Sequence, residues 1–93
     1  MTKEEQIDAA VESMTSIPSS TKVQGWVFKM LDNYYTVLSY WMSPMGDHIA
    51  VFESNKKGKK TGSKDIVLLK GCKDPILGVE ALAEILIKKE TQN

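Results

Sequence analysis

The sequence predicts a single α+β domain of order α-β-β-β-β-α, a four-stranded antiparallel meander with the N- and C-terminal helices packed on one face. Three observations predict it. Helix-start signals and helical spacing of apolar residues mark both ends of the chain, β-branched and aromatic residues fill the middle, and the links between the middle segments are short enough for hairpins. A length of 93 residues allows one core and not two, so the domain is expected to span residues 1–93.

The first helix is expected over residues 3–15. Thr2 and Glu5 have capping-box spacing, acidic residues crowd the first turn, and Ile7, Ala10, Val11 and Met14 fall on one face. Pro18 disfavours helical geometry at Ile17, and "SIPSST" reads as a linker. Strands are expected over 23–31, 34–42, 48–54 and 65–70, rich in Val, Ile, Tyr, Phe and Trp. Asp32-Asn33 suits a tight hairpin turn because Asn tolerates positive φ, and "SPMGD" suits a longer one built on Pro44 and Gly46. Period two sets Trp26, Phe28 and Met30 against Val27, Lys29 and Leu31, and Tyr35, Val37, Ser39 and Trp41 against Tyr34, Thr36, Leu38, Tyr40 and Met42. Neither face is cleanly polar, so the face away from the helices should also be covered, by a partner or a second copy.

The last helix is expected over 75–89. Asp74 is a good N-cap, Pro75 fits the first helical position, and Ile76, Val79, Leu82, Ala83 and Leu86 trace one face, widened by Leu77, Ala81, Ile85 and Ile87. Residues 91–93 are expected to fray.

Net charge is zero but unevenly spread: Ser54 to Lys73 holds seven lysines against Asp65 alone, a balance of +6. All twelve basic residues are lysines, which attract anions without the bidentate geometry of a guanidinium. One cysteine cannot form an internal disulfide, and the acidic N-terminus and short apolar runs suit neither a secretory signal nor a membrane span. A cytoplasmic setting is expected, with no metal or cofactor.

The loop 55–64, "NKKGKKTGSK", is the principal candidate site. Lys56, Lys57, Lys59, Lys60 and Lys64 would attract phosphate or an acidic protein. Against that stands a plainer reading, a flexible hairpin tip kept soluble by lysine and loosened by Gly58 and Gly62. Tyr35 and Trp41 are the aromatics chosen as a partly exposed pair beside the loop. His48 has no companions for catalysis or metal binding, and Cys72, between Lys70 and Lys73, has no evident base. No Walker loop, dinucleotide fingerprint, nucleophile elbow or paired-His motif occurs, so no catalytic residue is assigned.

The order of elements resembles the double-stranded-RNA-binding domain. In "KGCKDPILGVEALAEIL", however, Pro75, Ile76 and Leu77 stand where that family keeps a basic cluster, and no residues are carried over. The expectation is a small non-catalytic binding protein (regulator, inhibitor or adaptor) of a kind frequent in phages. Its partner would be a larger acidic protein, with homodimerisation alongside. The alternative is sequence-nonspecific nucleic-acid binding through the loop and an aromatic strand face.

Overall fold

The computed structural model describes residues 2–91. Its elements are α1 (Lys3–Ser13), β1 (Thr15–Ile17), β2 (Val23–Met30), β3 (Asn33–Tyr40), β4 (His48–Glu53), β5 (Val67–Lys70) and α2 (Pro75–Thr91). The sheet is an antiparallel meander in the order β1-β2-β3-β4-β5, with five strands where the sequence suggests four. Residues 92 and 93 of the expected frayed tail lie outside the described residues, while Thr91 belongs to α2.

The additional strand comes from the stretch expected to finish the first helix and begin a linker. α1 starts on the expected capping box, with Thr2 Oγ1 accepting from Glu5 N and Glu5 Oε1 accepting from Thr2 N, both at 3.2 Å. It stops two residues short of the expected end. The Ser13 hydroxyl donates to Ala10 O at 2.7 Å and accepts from Lys29 N at 2.9 Å, tying the last turn of α1 to β2. Thr15, Ser16 and Ile17 then pair with Val27, Trp26 and Gly25. Gly25 makes room for this: a Cβ there would lie 2.9 Å from Ile17 Cδ1 and 2.8 Å from Leu38 Cδ2.

Between β2 and β3 the turn falls one residue earlier than expected. Met30 pairs with Asn33, so Leu31 and Asp32 are the central residues, at φ 50° and 66°. Positive φ at both is the two-residue hairpin geometry whose twist matches the strands. Leu31 packs against the core, which offsets the cost of a left-handed leucine. Between β3 and β4, the turn forms on Pro44 and Gly46 as expected, Gly46 at φ 80° and its N–H donating to Ser43 O at 2.8 Å.

The pairing register reproduces the expected alternation within the strands: Trp26 lies opposite Val37, Phe28 opposite Tyr35, and Val27 opposite Thr36. Phe28, Met30, Tyr35, Val37, Ile49, Val51 and Val67 form one core with Ala10, Val79, Leu82 and Ala83, so both helices lie on the same face, here the helix face. α1 lies over β2, and α2 over β3 to β5. Asp74 caps α2 by accepting from Ile76 N at 3.0 Å. Gly78 brings the helix close to the sheet, since a Cβ there would sit 2.8 Å from Ile49 Cγ2 and about as near to Val51 and Val37.

Candidate interaction surfaces

The lysine loop is hydrogen-bonded within itself. Asn55 accepts twice through Oδ1, from Lys57 N at 2.8 Å and Lys59 N at 3.0 Å, and its own N–H donates to Lys59 O at 3.0 Å. Gly58 N donates to Asn55 O and Thr61 N to Glu53 O, closing a small hydrogen-bonded turn. Gly58 has φ 92°, and a Cβ there would lie 2.9 Å from Ile17 Cδ1 and 3.4 Å from Val27 Cγ2. The loop therefore folds back onto the sheet face opposite the helices, the distal face.

This seat explains why neither strand face is polar. Val27, Thr36, Ala50 and Phe52 are buried on the distal face, although both helices lie on the other side. Thr36, with no exposed surface, donates its hydroxyl to Ser54 Oγ at 2.8 Å, and Ser54 donates onward to Asn55 O at 2.9 Å. Lys60 Nζ stands 5.2 Å from the centre of the Phe52 ring and 3.1 Å from Asp65 Oδ1. The cover that the sequence calls for is supplied, over this part of the face, by the chain itself.

The five lysines thus divide. Lys60 is held by Phe52 and Asp65, whereas Lys56, Lys57, Lys59 and Lys64 are exposed and make no ion pair among the described residues. The two aromatics expected beside them lie elsewhere. Tyr35 is 4% exposed and belongs to the helix face, where it stacks on Phe28 with ring centroids 5.9 Å apart. The expected partial exposure of Tyr35 is corrected by that packing. Trp41 is half-buried beyond the far end of β3. Six residues of extended chain, roughly 20 Å, separate it from Tyr35, so the two form no pair.

His48 and Cys72 are both packed against neighbouring side chains. The imidazole of His48 is buried and stacked on Tyr40, with centroids 4.4 Å apart and planes 8° apart, and Nδ1 donates to Gly46 O at 3.0 Å. Cys72 is half-buried against the core, its Sγ 3.9 Å from Leu69 O. Among the described residues, no group of three or more His, Cys, Asp or Glu side chains could hold a metal ion, and no helix is long and apolar enough to cross a membrane. A shallow cleft of about 340 Å³ between α1 and the β2–β3 hairpin is lined by Gln6, Ser13, Lys29 and Asp32 among others. The Ser13 hydroxyl there is already engaged on both sides.

A second surface surrounds β5, the edge strand opposite β1. Leu68 on the distal face is 49% exposed, and Leu77 and Ile85 on α2 are 41% and 43% exposed. Sequence reasoning places Leu77 and Ile85 in the widened apolar stripe of the last helix and gives Leu68 only a place in the last strand. Period and spacing mark them as apolar without showing that the sheet ends at β5. No family model, curated protein or solved structure matches this chain.

Proposed function

We propose that the chain is a non-catalytic binding protein that acts through a protein surface, as a regulator, inhibitor or adaptor, with the lysine loop contacting a larger acidic partner. The supporting observation is the anchoring of the loop. Lys56, Lys57 and Lys59 project from a turn already fixed by Asn55 and seated on Ile17 and Val27, so little backbone freedom remains to be lost on binding. Charge of one sign on a rigid support steers and orients an oppositely charged protein.

The same four lysines favour a second reading, sequence-nonspecific binding of nucleic acid. Few aromatics are open to stacking, because Tyr35 and Phe28 are inside the core and Phe52 lies beneath Lys60, while Tyr34, beside the loop, is exposed. Such binding would rest chiefly on phosphate contacts and would weaken steeply with salt, with a slope of about 0.9 per phosphate neutralised on duplex DNA.

The test compares wild-type protein with the variant carrying Lys56→Ser, Lys57→Ser, Lys59→Ser and Lys64→Ser, each used to capture partners from nuclease-treated extract. The captured protein is then titrated at low and high salt. A defined acidic protein that binds the wild type at least about tenfold more tightly than the variant supports the reading. Retention of nucleic acid alone, lost on nuclease treatment, overturns it in favour of the second.

A further inference from the structure

We infer that the β5 edge pairs with the β5 edge of a second copy of this chain, joining two five-stranded sheets across a two-fold axis at Leu68. This inference concerns a surface separate from the lysine loop and does not depend on its partner.

β5 pairs only with β4 and is the last strand of the sheet. The bond from Gly71 N to Asp47 O at 2.8 Å continues the ladder beyond the His48–Lys70 pair, making 47/71 and 49/69 the bonded pairs. The N–H and C=O of Leu68 and Lys70 consequently point away from β4, unpaired along the open edge. At the start of the strand Ile66 N donates to Val51 O, although Val51 is paired with Val67, so the free edge begins after this irregularity.

Apolar side chains flank this edge on both faces. Leu68 is half exposed on the distal face. On the helix face, α2 is covered by α1 on one side, where Lys3 Nζ meets Glu84 Oε2 at 2.6 Å and Ala83 is fully buried. Ala81 and Ile85, at i and i+4, lie on the flank of α2 opposite Ala83, the side toward β5.

Register selects the second copy as the occupant. An antiparallel pair of identical strands must centre on one residue, and its side chains must share a face. With the axis at Leu68, the two Leu68 residues exchange both main-chain bonds and meet on the distal face, Val67 lies opposite Leu69, and Lys70 falls opposite Ile66 beside Asp65. An axis at Val67 would set Lys70 against Lys64, one at Lys70 would set Lys70 against itself, and one at Leu69 would leave Leu68 facing Lys70. Only the Leu68 axis matches apolar residues to each other and places no two lysines opposite.

Sedimentation equilibrium from about 1 to 100 µM tests the inference. The wild type is expected to approach twice the chain mass of 10.4 kDa. Leu68→Lys puts two ammonium groups on the axis and should weaken association at least about tenfold while leaving the thermal unfolding curve of the monomer in place. If Leu68→Lys fails to fold by circular dichroism, Ile85→Lys, on the exposed flank of α2, is read in its place with the same expectation. A wild type that stays monomeric throughout overturns the inference, as do a dimer indifferent to the folded variant and open-ended growth beyond two copies.

Discussion

Gly78→Ala sets two effects of known sign against each other at one atom. In a free helix the change would be favourable by about 1 kcal/mol, because alanine loses less backbone freedom than glycine. In this fold the new methyl would meet Ile49 Cγ2 at 2.8 Å, Val51 Cγ2 at 3.0 Å and Val37 Cγ2 at 3.1 Å. Carbon atoms in comfortable contact stand about 3.5–4.0 Å apart, so α2 would have to lift by roughly 0.5–1 Å. All three neighbours are methyls branched at Cβ and cannot swing aside by a distant rotamer change. Lifting the helix also loosens Val79, Leu82 and Ala83, which are fully buried against the same strands. Overpacking of this kind costs about 1–3 kcal/mol and the lost dispersion adds to it, leaving a net destabilisation of about 1–2 kcal/mol. Urea unfolding followed by far-UV circular dichroism measures it, and the melting temperature should fall by about 4–8 °C for each kcal/mol. Ile49→Leu removes the nearest methyl at nearly constant volume, so Gly78→Ala should cost less in that background. A gain in stability from Gly78→Ala in the wild type would refute the reasoning, and an unchanged cost in the Ile49→Leu background would refute its attribution to the Ile49 methyl.

Three further perturbations test other parts of the fold. Asp32→Gly relieves a residue held at φ 66° in the hairpin turn and should raise stability by about 0.5–1 kcal/mol in the same urea assay. Asn55→Ala removes the acceptor shared by the Lys57 and Lys59 amides, and hydrogen exchange should quicken about fivefold or more at both while the β3 amides stay protected. Tyr35 has its pKa raised above the ordinary 10.0, chiefly by burial and then by the charge of Glu53, against a hydrogen bond from Asn33 that lowers it. The neutral phenol is therefore favoured in the folded state. Its contribution is fully present below the unfolded value of about 10 and is lost as pH rises through the higher folded value, so stability should fall more steeply there for wild type than for Tyr35→Phe.

How much of this was legible depended on whether a signal was local. Thr2 with Glu5 and Asp74 with Pro75 announce both helix starts because caps are read within four residues. Strand faces followed from period two, and Trp26, Phe28 and Met30 do share a face with Tyr35 and Val37. β1 was not legible: three residues cannot display a period, and what makes Thr15–Ile17 a strand is the room left by Gly25 on a neighbour. The turn at Leu31-Asp32 was misplaced by a residue because the leucine's core contact, a tertiary effect, overrides the preference for Asn at positive φ. At the candidate site the lysines were visible as a run of charge. Tyr35, expected to be partly exposed, is buried because apolar residues occupy both strand faces and alternation alone cannot say which face the helices cover, whereas Trp41 is half-buried.

The manner in which the loop is held determines what salt can reveal about it. Between Ser54 and Lys73 seven lysines face Asp65 alone, so mutual repulsion opposes the closed turn. What holds the turn is mainly uncharged: the two bonds to Asn55 Oδ1, the contact of Gly58 with Ile17 and Val27, and the Thr36–Ser54 hydrogen bond beneath. The Lys60–Asp65 ion pair at the loop is more than a third exposed on both sides and contributes at most about 1 kcal/mol. At about 1 M salt, where the screening length is about 3 Å, repulsion among the lysines fades along with attraction to any anionic partner, while the uncharged contacts persist. Added salt should therefore leave Lys57 and Lys59 amide protection unchanged or higher. Any loss of binding under those conditions reports on recognition by the lysines and not on release of the loop.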